Sequence, residues 1–190
     1  MQDKILLGFL QDGEKTGYQI KKLMESSTGY FFNTSLGSIY PAFRKLEKDG
    51  MVKMKQKVTE GRVKKLYSVT EKGMECFQTW LNEEITIPKA RDEVLLKIFF
   101  FSNLEPEKRR EKIIFYVKQL QGMIDHLSTL KNLVEVNTSN RDEKKVNDYL
   151  NKYKIDAFRI EMLDYGVEYY IFMKKWYEDF LNRIDDVDKH

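Results

Sequence analysis

The chain of 190 residues is long enough for one large domain or two small ones, and its 42% hydrophobic and 33% charged residues are typical of a globular protein. No apolar run approaches the roughly 20 residues that a membrane-spanning helix needs, and the N-terminus has no signal-peptide pattern, so we expect a cytoplasmic protein without a membrane partner. The single cysteine, Cys76, excludes an internal disulfide and a cysteine-based metal site.

Positive charge is concentrated in the first part of the chain. Residues 1–75 contain 14 lysines and arginines and 9 acidic residues, a net charge of +5, whereas residues 76–190 contain 19 and 21, a net charge of −2. This distribution is expected of a module that binds a polyanion, but ordinary variation along a sequence produces it equally well.

Three helices are predicted in the first fifty residues. The apolar spacing predicts helices over residues 3–12 and 17–27, separated by the turn sequence DGEKTG. A third helix follows the break STGYFFN, with Thr34 or Ser35 as its N-cap and Gly50 as the glycine that ends it.

A β-hairpin and a fourth helix follow. Apolar and polar residues alternate with period two on both sides of the segment TEGR, which predicts two paired strands. Thr70 is the predicted N-cap of a fourth helix, which starts with EKGMECF. Three helices, a hairpin and another helix form the element order of a winged helix-turn-helix, in which the third helix enters the DNA major groove and the hairpin is the wing. We therefore predict a DNA-binding domain over residues 1–85 and a linker around Pro88.

The remainder, residues 92–190, is predicted to be a helical dimerisation and effector domain. The segment DEVLLKIFFF is apolar on nearly all sides, so we expect it to be buried. Pro106 is the predicted first residue of a long helix that reaches Val136, and a second long helix is predicted over residues 141–183, both with heptad-like apolar stripes. The predicted fold class is mainly α with a small β-hairpin wing. Because two long helices alone have little core, we expect a homodimer through these C-terminal helices.

The third predicted helix has two distinct faces. Its apolar face carries Leu36, Ile39, Phe43 and Leu46, with Tyr40 at the margin. The opposite face is small near its start and basic further along, and it carries Gly37, Ser38, Pro41, Arg44, Lys45 and Lys48. Interior glycine and proline cost a helix about 1 and about 3 kcal/mol relative to alanine. A small face allows close approach to another surface, and the cations can bind phosphates or base edges, so this face is predicted to lie on DNA. A solvated basic face on an ordinary surface helix is the alternative.

The predicted wing carries six cations and one acidic residue, Glu60. The cations are Lys53, Lys55, Lys57, Arg62, Lys64 and Lys65. They suit the phosphate backbone of DNA, although basic side chains on a hairpin edge also serve to prevent aggregation.

The segments TGYQI, GSIYPAFRKLEKDGMV and LYSVTEKG resemble the signature sequences of PadR-type bacterial transcriptional regulators, over residues 5–80. The segments RDEVLLKIFF and WYEDF are similar in pattern to the helical dimerisation domain of the longer members of that family. The resemblance implies a dimeric winged-helix repressor, and some members release DNA when they bind a small aromatic compound.

Site residues follow from the resemblance by motif position. The residues that it places on DNA are Tyr18, Ser38, Tyr40, Pro41, Arg44, Lys45 and, from the wing, Lys64. The predicted DNA-binding set also includes Ser35, Gly37 and Arg62. The expected partner is double-stranded DNA with a pseudo-palindromic operator, whose half-sites lie about 34 Å apart.

The aromatic segment DYGVEYYIFMKKWYEDF contains three candidate effector-binding residues, Tyr165, Tyr169 and Trp176. At helical spacing, such residues are more often part of a core or a dimer interface than of a ligand pocket.

The sequence does not indicate an enzyme. The two histidines, His126 and His190, are far apart, and there is no HExxH, Walker-type phosphate loop or GxSxG motif. We therefore predict no catalytic residue, no metal and no cofactor. The remaining alternative is a winged-helix protein–protein interaction module without specific DNA binding, which a flat salt response would reveal.

Overall fold

The computed structural model describes residues 1–29, 31–32, 35–59, 62–87, 92–140, 142–153 and 155–187, without the side chains of residues 59, 62, 152–153 and 185–187. The chain divides into two compact units, Met1–Pro88 and Lys89–His190. No helix in the described ranges is both long enough and apolar enough to cross a membrane.

The first unit has the predicted order of elements. They are α1 (Gln2–Leu10), α2 (Gly17–Ser27), α3 (Leu36–Lys48), β1 (Val52–Thr59), β2 (Arg62–Val69) and α4 (Glu71–Leu81). Helix α2 begins with a capping box, because the Thr16 hydroxyl accepts from the Gln19 N–H while the Gln19 side chain accepts from the Thr16 N–H. The predicted cap of α4 is confirmed, since the Thr70 hydroxyl accepts from the Gly73 N–H at 3.2 Å.

The two ends of α3 differ in how well they were predicted. Ser35 is the N-cap residue, but its hydroxyl forms no capping hydrogen bond, and Thr34 lies outside the described residues. At the other end Gly50 has a φ of +72°, and the Met51 N–H donates to the carbonyl of Leu46 at 2.8 Å. This Schellman-type ending confirms the predicted glycine.

The core of the first unit joins α3 to the wing. The buried face of α3 consists of Ile39, Ala42, Phe43 and Leu46. The ring of Phe43 is stacked on the ring of Tyr67 in β2, with centroids 3.8 Å apart. The backbone of Tyr67 also exchanges two hydrogen bonds with Lys15, in the turn before α2. The base of the wing is therefore fixed both to α3 and to the start of α2.

The hairpin has the predicted two-faced pattern. The strands are antiparallel, with Val52 opposite Val69 and Met54 opposite Tyr67. These four side chains face the core, and Val52 and Tyr67 are buried. The residues between them along each strand project from the other face, which accounts for the alternation of lysine with apolar residues in β1.

The second unit is helical, but the predicted second long helix is wrong as a single element. The elements are α5 (Glu93–Phe99), a 3₁₀ turn (Phe101–Asn103), α6 (Pro106–Thr138), α7 (Glu143–Tyr153) and α8 (Ala157–Val187). Pro106 begins α6, as predicted. The predicted helix over residues 141–183 is divided, because the Asp156 carboxylate accepts from the Arg159 N–H at 2.9 Å and so caps the start of α8.

Helices α6 and α8 pack against each other. Ile113, Leu120 and Leu127, spaced by seven residues, are buried on α6. The rings of Tyr116 in α6 and Tyr177 in α8 meet edge to face at a centroid distance of 4.9 Å. The heptad-like stripe on α6 therefore correctly predicted its packed face.

The expectation that DEVLLKIFFF is buried is wrong for most of the segment in the single chain, although its last residue, Phe101, is buried. No residue of α5 is buried, and Leu95, Leu96 and Phe99 are 47%, 58% and 78% exposed. Only the side of α5 with Val94 and Ile98 packs against the core of the second unit. The other side is an exposed apolar surface.

Candidate nucleic-acid interface

A groove of about 880 Å³ lies between the start of α2, α3 and the wing. Four residues of the predicted DNA-binding set line it: Tyr18, Tyr40, Arg44 and Lys64. The other lining residues are Thr16, Gln19, Glu47, Met54, Lys57, Val63, Lys65, Leu66 and Tyr67. Residues from three separate elements thus meet on one surface that is rich in cations and aromatic rings.

Gly17 allows α2 and α3 to approach closely at the edge of this groove. A Cβ atom at this position would lie 3.0 Å from a ring carbon of Tyr40, which is shorter than a favourable contact between carbon atoms. The Tyr40 ring therefore packs on the first turn of α2, while part of it remains exposed towards the groove. This contact explains the glycine of the TGYQI segment.

Gly37, Pro41 and Lys48 are exposed and share one strip of α3, at a spacing of four and seven residues. The helix is continuous through Pro41. A Cβ atom at Gly37 would meet only the Ser35 hydroxyl, at 3.5 Å. Packing within the described chain therefore does not require glycine at this position.

Arg44 and Lys45 lie on opposite sides of that strip and differ in their partners. Arg44 is exposed and forms no ion pair within the described ranges. Lys45 donates to the Asp3 carboxylate of α1 at 2.6 Å. This hydrogen bond and the negative charge of Asp3 raise the pKa of Lys45. Local spacing along the chain does not indicate Asp3, because its contact with Lys45 depends on how α1 packs against α3.

The wing cations also differ in their surroundings. Lys55 is paired with Glu14 of the turn before α2, at 2.5 Å. Lys57, Lys64 and Lys65 line the groove and, in the part of the chain that the structure describes, form no ion pair. Lys57 and Lys65 were counted as wing cations but not assigned to the site. Lys57 could have been assigned to the site from the strand pairing, because it lies opposite Lys64, which was assigned to it.

Five described residues of the predicted set do not line the groove: Ser35, Gly37, Ser38, Pro41 and Lys45. Ser38 donates to the carbonyl of Ser35 at 2.9 Å and accepts from the Gln2 side chain at 3.0 Å. Ser35 is the N-cap residue of α3, Gly37, Ser38 and Pro41 lie in its first half, and Lys45 lies in its last turn. The side chain of Arg62 lies outside the described residues.

The three candidate effector residues on α8 do not form one cluster. The rings of Tyr165 and Tyr169 are stacked at a centroid distance of 6.0 Å. Trp176 instead stacks on Phe180 at 5.5 Å and packs against the core of the second unit. Burial raises the pKa of Tyr169. Tyr165 and Tyr169 are therefore adjacent and partly exposed, whereas Trp176 has a packing role.

Among the described residues, no group of three or more histidine, cysteine, aspartate or glutamate side chains is arranged to hold a metal ion. The groove itself offers basic and aromatic groups, which suit an anionic ligand.

The profile of the Transcriptional regulator PadR-like family matches residues 6–79, which include the four groove residues from the predicted set. The negative transcriptional regulator PadR of Bacillus subtilis (strain 168) is 31% identical over 132 residues, which are 68% of this chain and 71% of that protein. The chain belongs to the PadR-like transcriptional regulator family. It is a DNA-binding regulator with a winged helix, and the family is not one of enzymes.

Solved structures of B. subtilis PadR have the same fold over nearly the whole chain. The crystal structure of that protein in complex with operator DNA superposes with a TM-score of 0.71 at 22% identity, covering 96% of this chain and 98% of that one. Its crystal structure in complex with p-coumaric acid gives a TM-score of 0.65 at 24% identity, with the same coverage of 96% and 98%. Both units of this PadR-family chain therefore have counterparts in the longer type of the family.

Proposed function

We propose that this PadR-family regulator is a repressor that holds duplex DNA in the groove between α3 and the wing. The observation that carries the proposal is the groove itself, where Arg44, Lys57, Lys64 and Lys65 surround exposed aromatic rings. Among the described lining residues, Glu47 is the one acid. Unpaired cations on a concave surface attract the phosphate backbone, which supplies most of the affinity for DNA.

In this proposal residues 1–85 are the DNA-binding domain, and α3 is the element that enters the major groove. The strip of Gly37, Pro41 and Lys48 is exposed, and its small residues permit close approach to base edges. Ser35, Ser38, Lys45 and Arg62 complete the DNA-binding set at the margins of α3 and on the wing. The wing cations bind phosphates and so fix the register of α3.

Residues 92–190 are proposed to form a homodimer. The exposed apolar side of α5, with Leu95, Leu96 and Phe99, is a surface of the kind that a second copy of the chain covers. A symmetric dimer presents two winged heads, so we propose that it reads a pseudo-palindromic operator with half-sites about 34 Å apart. Occupying the operator would repress transcription in the cytoplasm by blocking access to the promoter.

A small aromatic effector is proposed to release the operator. The support is that the related PadR of B. subtilis is a negative regulator and has been crystallised with p-coumaric acid. In this chain Tyr165 and Tyr169 offer adjacent, partly exposed rings on α8, with Trp176 further along the helix. An effector would need a coupling free energy of only about 1–3 kcal/mol to weaken operator binding.

The proposed function is tested by binding to duplexes of about 30 base pairs, long enough for two half-sites. The full chain should select a pseudo-palindromic sequence from a random library, and its affinity should fall log-linearly with salt concentration. The double change Arg44→Ala and Lys45→Ala should abolish selection. The matched control, Arg110→Ala with Lys112→Ala, removes the same charge from the second unit and should leave it intact. A flat salt response, or an unchanged affinity after the α3 double change, would instead favour a protein–protein interaction module.

A further inference from the structure

The first turn of α1 holds two side chains of α3. Asp3 accepts from Lys45 at 2.6 Å, and the neighbouring Gln2 donates to the Ser38 hydroxyl at 3.0 Å. Asp3 and Lys45 are separated by 42 residues in the sequence. The contact is thus a product of helix packing that joins α1 to the face of α3 which is proposed to meet DNA.

The ion pair is open to solvent on the lysine side. The side chain of Lys45 is 64% exposed, whereas that of Asp3 is 29% exposed. A lysine ammonium has three N–H donors, and Asp3 uses one of them. Lys45 can therefore keep its bond to Asp3 and still donate to a second acceptor that comes close.

Charge and hydrogen-bonding capacity act over different distances here. The paired charges of Asp3 and Lys45 largely cancel at a distance, whereas the free donors of Lys45 act at contact distance. Arg44, on the other side of the glycine and proline strip, has no such counter-charge in the described chain. One of the two cations is thus neutralised and the other is not.

We propose that Asp3 is a specificity-determining residue that acts through Lys45. Random DNA is bound loosely, mainly through its electrostatic attraction to the protein. By cancelling the charge of Lys45, Asp3 lowers the affinity for such DNA. A duplex that seats α3 closely brings a phosphate or base edge within reach of the remaining Lys45 donors. Lys45 then adds to the affinity for the selected duplex and adds little to the affinity for random DNA. Asp3 therefore increases the ratio of the two affinities. This inference rests on the proposed DNA-binding function.

The central test is Asp3→Asn in the full chain, measured against two probes: the duplex that the wild-type chain selects and a random-sequence duplex of about 30 base pairs. The variant removes the negative charge and retains the shape of the side chain. Its affinity for the random duplex should rise several-fold, and the slope of log affinity against log salt should steepen by about one. The affinity for the selected duplex should rise less, so that the ratio of the two affinities falls.

Three further variants separate this role from a general charge effect. Glu14→Gln makes the same charge change at the Lys55 pair, away from the groove lining, and should leave the affinity ratio unchanged. Asp3→Glu should restore the wild-type ratio. In a Lys45→Ala background, Asp3→Asn should no longer change the ratio, because the residue through which Asp3 acts is absent.

The role of Asp3 would be overturned if Asp3→Asn left the ratio of the two affinities unchanged. It would also be overturned if Glu14→Gln lowered that ratio equally, or if Asp3→Asn still lowered it in the Lys45→Ala background. Failure of the wild-type chain to select any duplex would overturn the proposed function itself. Lys45→Gln gives a second reading that does not depend on the stability of Asp3→Asn: because it leaves the Asp3 charge unpaired, affinity should fall for both duplexes, and it should fall further for the selected one.

Discussion

Lys57 and Lys64 lie directly opposite each other across the two strands of the wing. Like charges at paired strand positions are destabilising, by up to about 1 kcal/mol. In the described part of the chain neither lysine has an acidic partner, and both line the groove. The wing thus holds a repulsive pair that an anion from outside the chain, such as a DNA phosphate, would relieve.

Replacing one lysine of this pair should separate stability from binding. Lys64→Gln is expected to raise the free energy of unfolding slightly, because the cross-strand repulsion is lost, while weakening DNA binding across all sequences. Urea denaturation and a salt titration of duplex binding measure the two effects. Lys53→Gln is the matched control, since Lys53 pairs with Ser68 and does not line the groove. An equal loss of affinity in both variants would show that only total charge matters.

Gly37→Ala should also stabilise the protein and weaken its binding. A Cβ atom at position 37 has room, and alanine is favoured over glycine in a helix, so we expect a gain of roughly 0.5–1 kcal/mol in unfolding free energy. The added methyl group lies on the strip that is proposed to approach base edges, so operator affinity should fall.

The matched control for this change is Gly122→Ala. Gly122 is a glycine of α6 with nothing within 4 Å of its added Cβ, so the substitution should give a similar gain in stability. It should leave DNA affinity as in the wild type. If Gly37→Ala binds as tightly as Gly122→Ala, the strip is not in close contact with DNA.

Helix α3 and the wing show how much of the fold could be predicted from the sequence. The buried face of α3, its terminal glycine and the alternation in the wing follow from local spacing, and the structure confirms them. The groove and the Asp3–Lys45 pair arise from contacts between elements far apart in the chain, which periodicity does not encode. The break before α8 was missed because the apolar stripe continues across it, and a capping aspartate is a weaker signal than proline or glycine.

The exposed side of α5 was mispredicted for a related reason. Apolarity on all sides indicates burial, but it does not indicate whether the covering surface belongs to the same chain. In a single chain, only Val94 and Ile98 reach the core of the second unit. The predicted burial of the exposed side of α5 therefore depends on a second copy of the chain covering it.

Phe99→Glu should convert the proposed dimer into a monomer. The side chain is 78% exposed in the single chain, so the change leaves the fold of one chain intact but places a charge in the apolar surface. Sedimentation velocity measures the mass of the particle, and operator affinity should fall with it because two heads no longer bind together. Met74→Glu, at an exposed apolar position of α4 in the first unit, is the control and should remain dimeric. A Phe99→Glu protein that stays dimeric would place the interface elsewhere.

Tyr177→Phe should be neutral or stabilising by about 1 kcal/mol. The Tyr177 side chain is fully buried, and its hydroxyl has no hydrogen-bond partner among the described residues. Removing the hydroxyl therefore removes the free-energy cost of burying an unsatisfied polar group. Urea denaturation at neutral pH measures the effect. A loss of stability would show that the hydroxyl has a partner in the assembled protein.

The same residue predicts a pH dependence. Burial, with a smaller contribution from Tyr116, raises the pKa of Tyr177 above its ordinary value of 10.0. Above that value the unfolded chain loses the Tyr177 proton before the folded chain does, so this group leaves the folding stability independent of pH below about pH 10 and lowers it as the pH rises further. The wild-type protein should therefore lose more stability than Tyr177→Phe between neutral pH and about pH 10.5, which denaturation at the two pH values measures. Equal losses in the two proteins would contradict this assignment.

In the proposed complex, α3 and the wing hold duplex DNA. Amide hydrogen exchange of the full chain, with and without the duplex that it selects from a random library, tests this most directly. DNA binding should slow exchange in α3 and in β1 and β2, where the groove and the exposed strip lie. Protection confined to the second unit, with unchanged exchange in α3 and the wing, would contradict it.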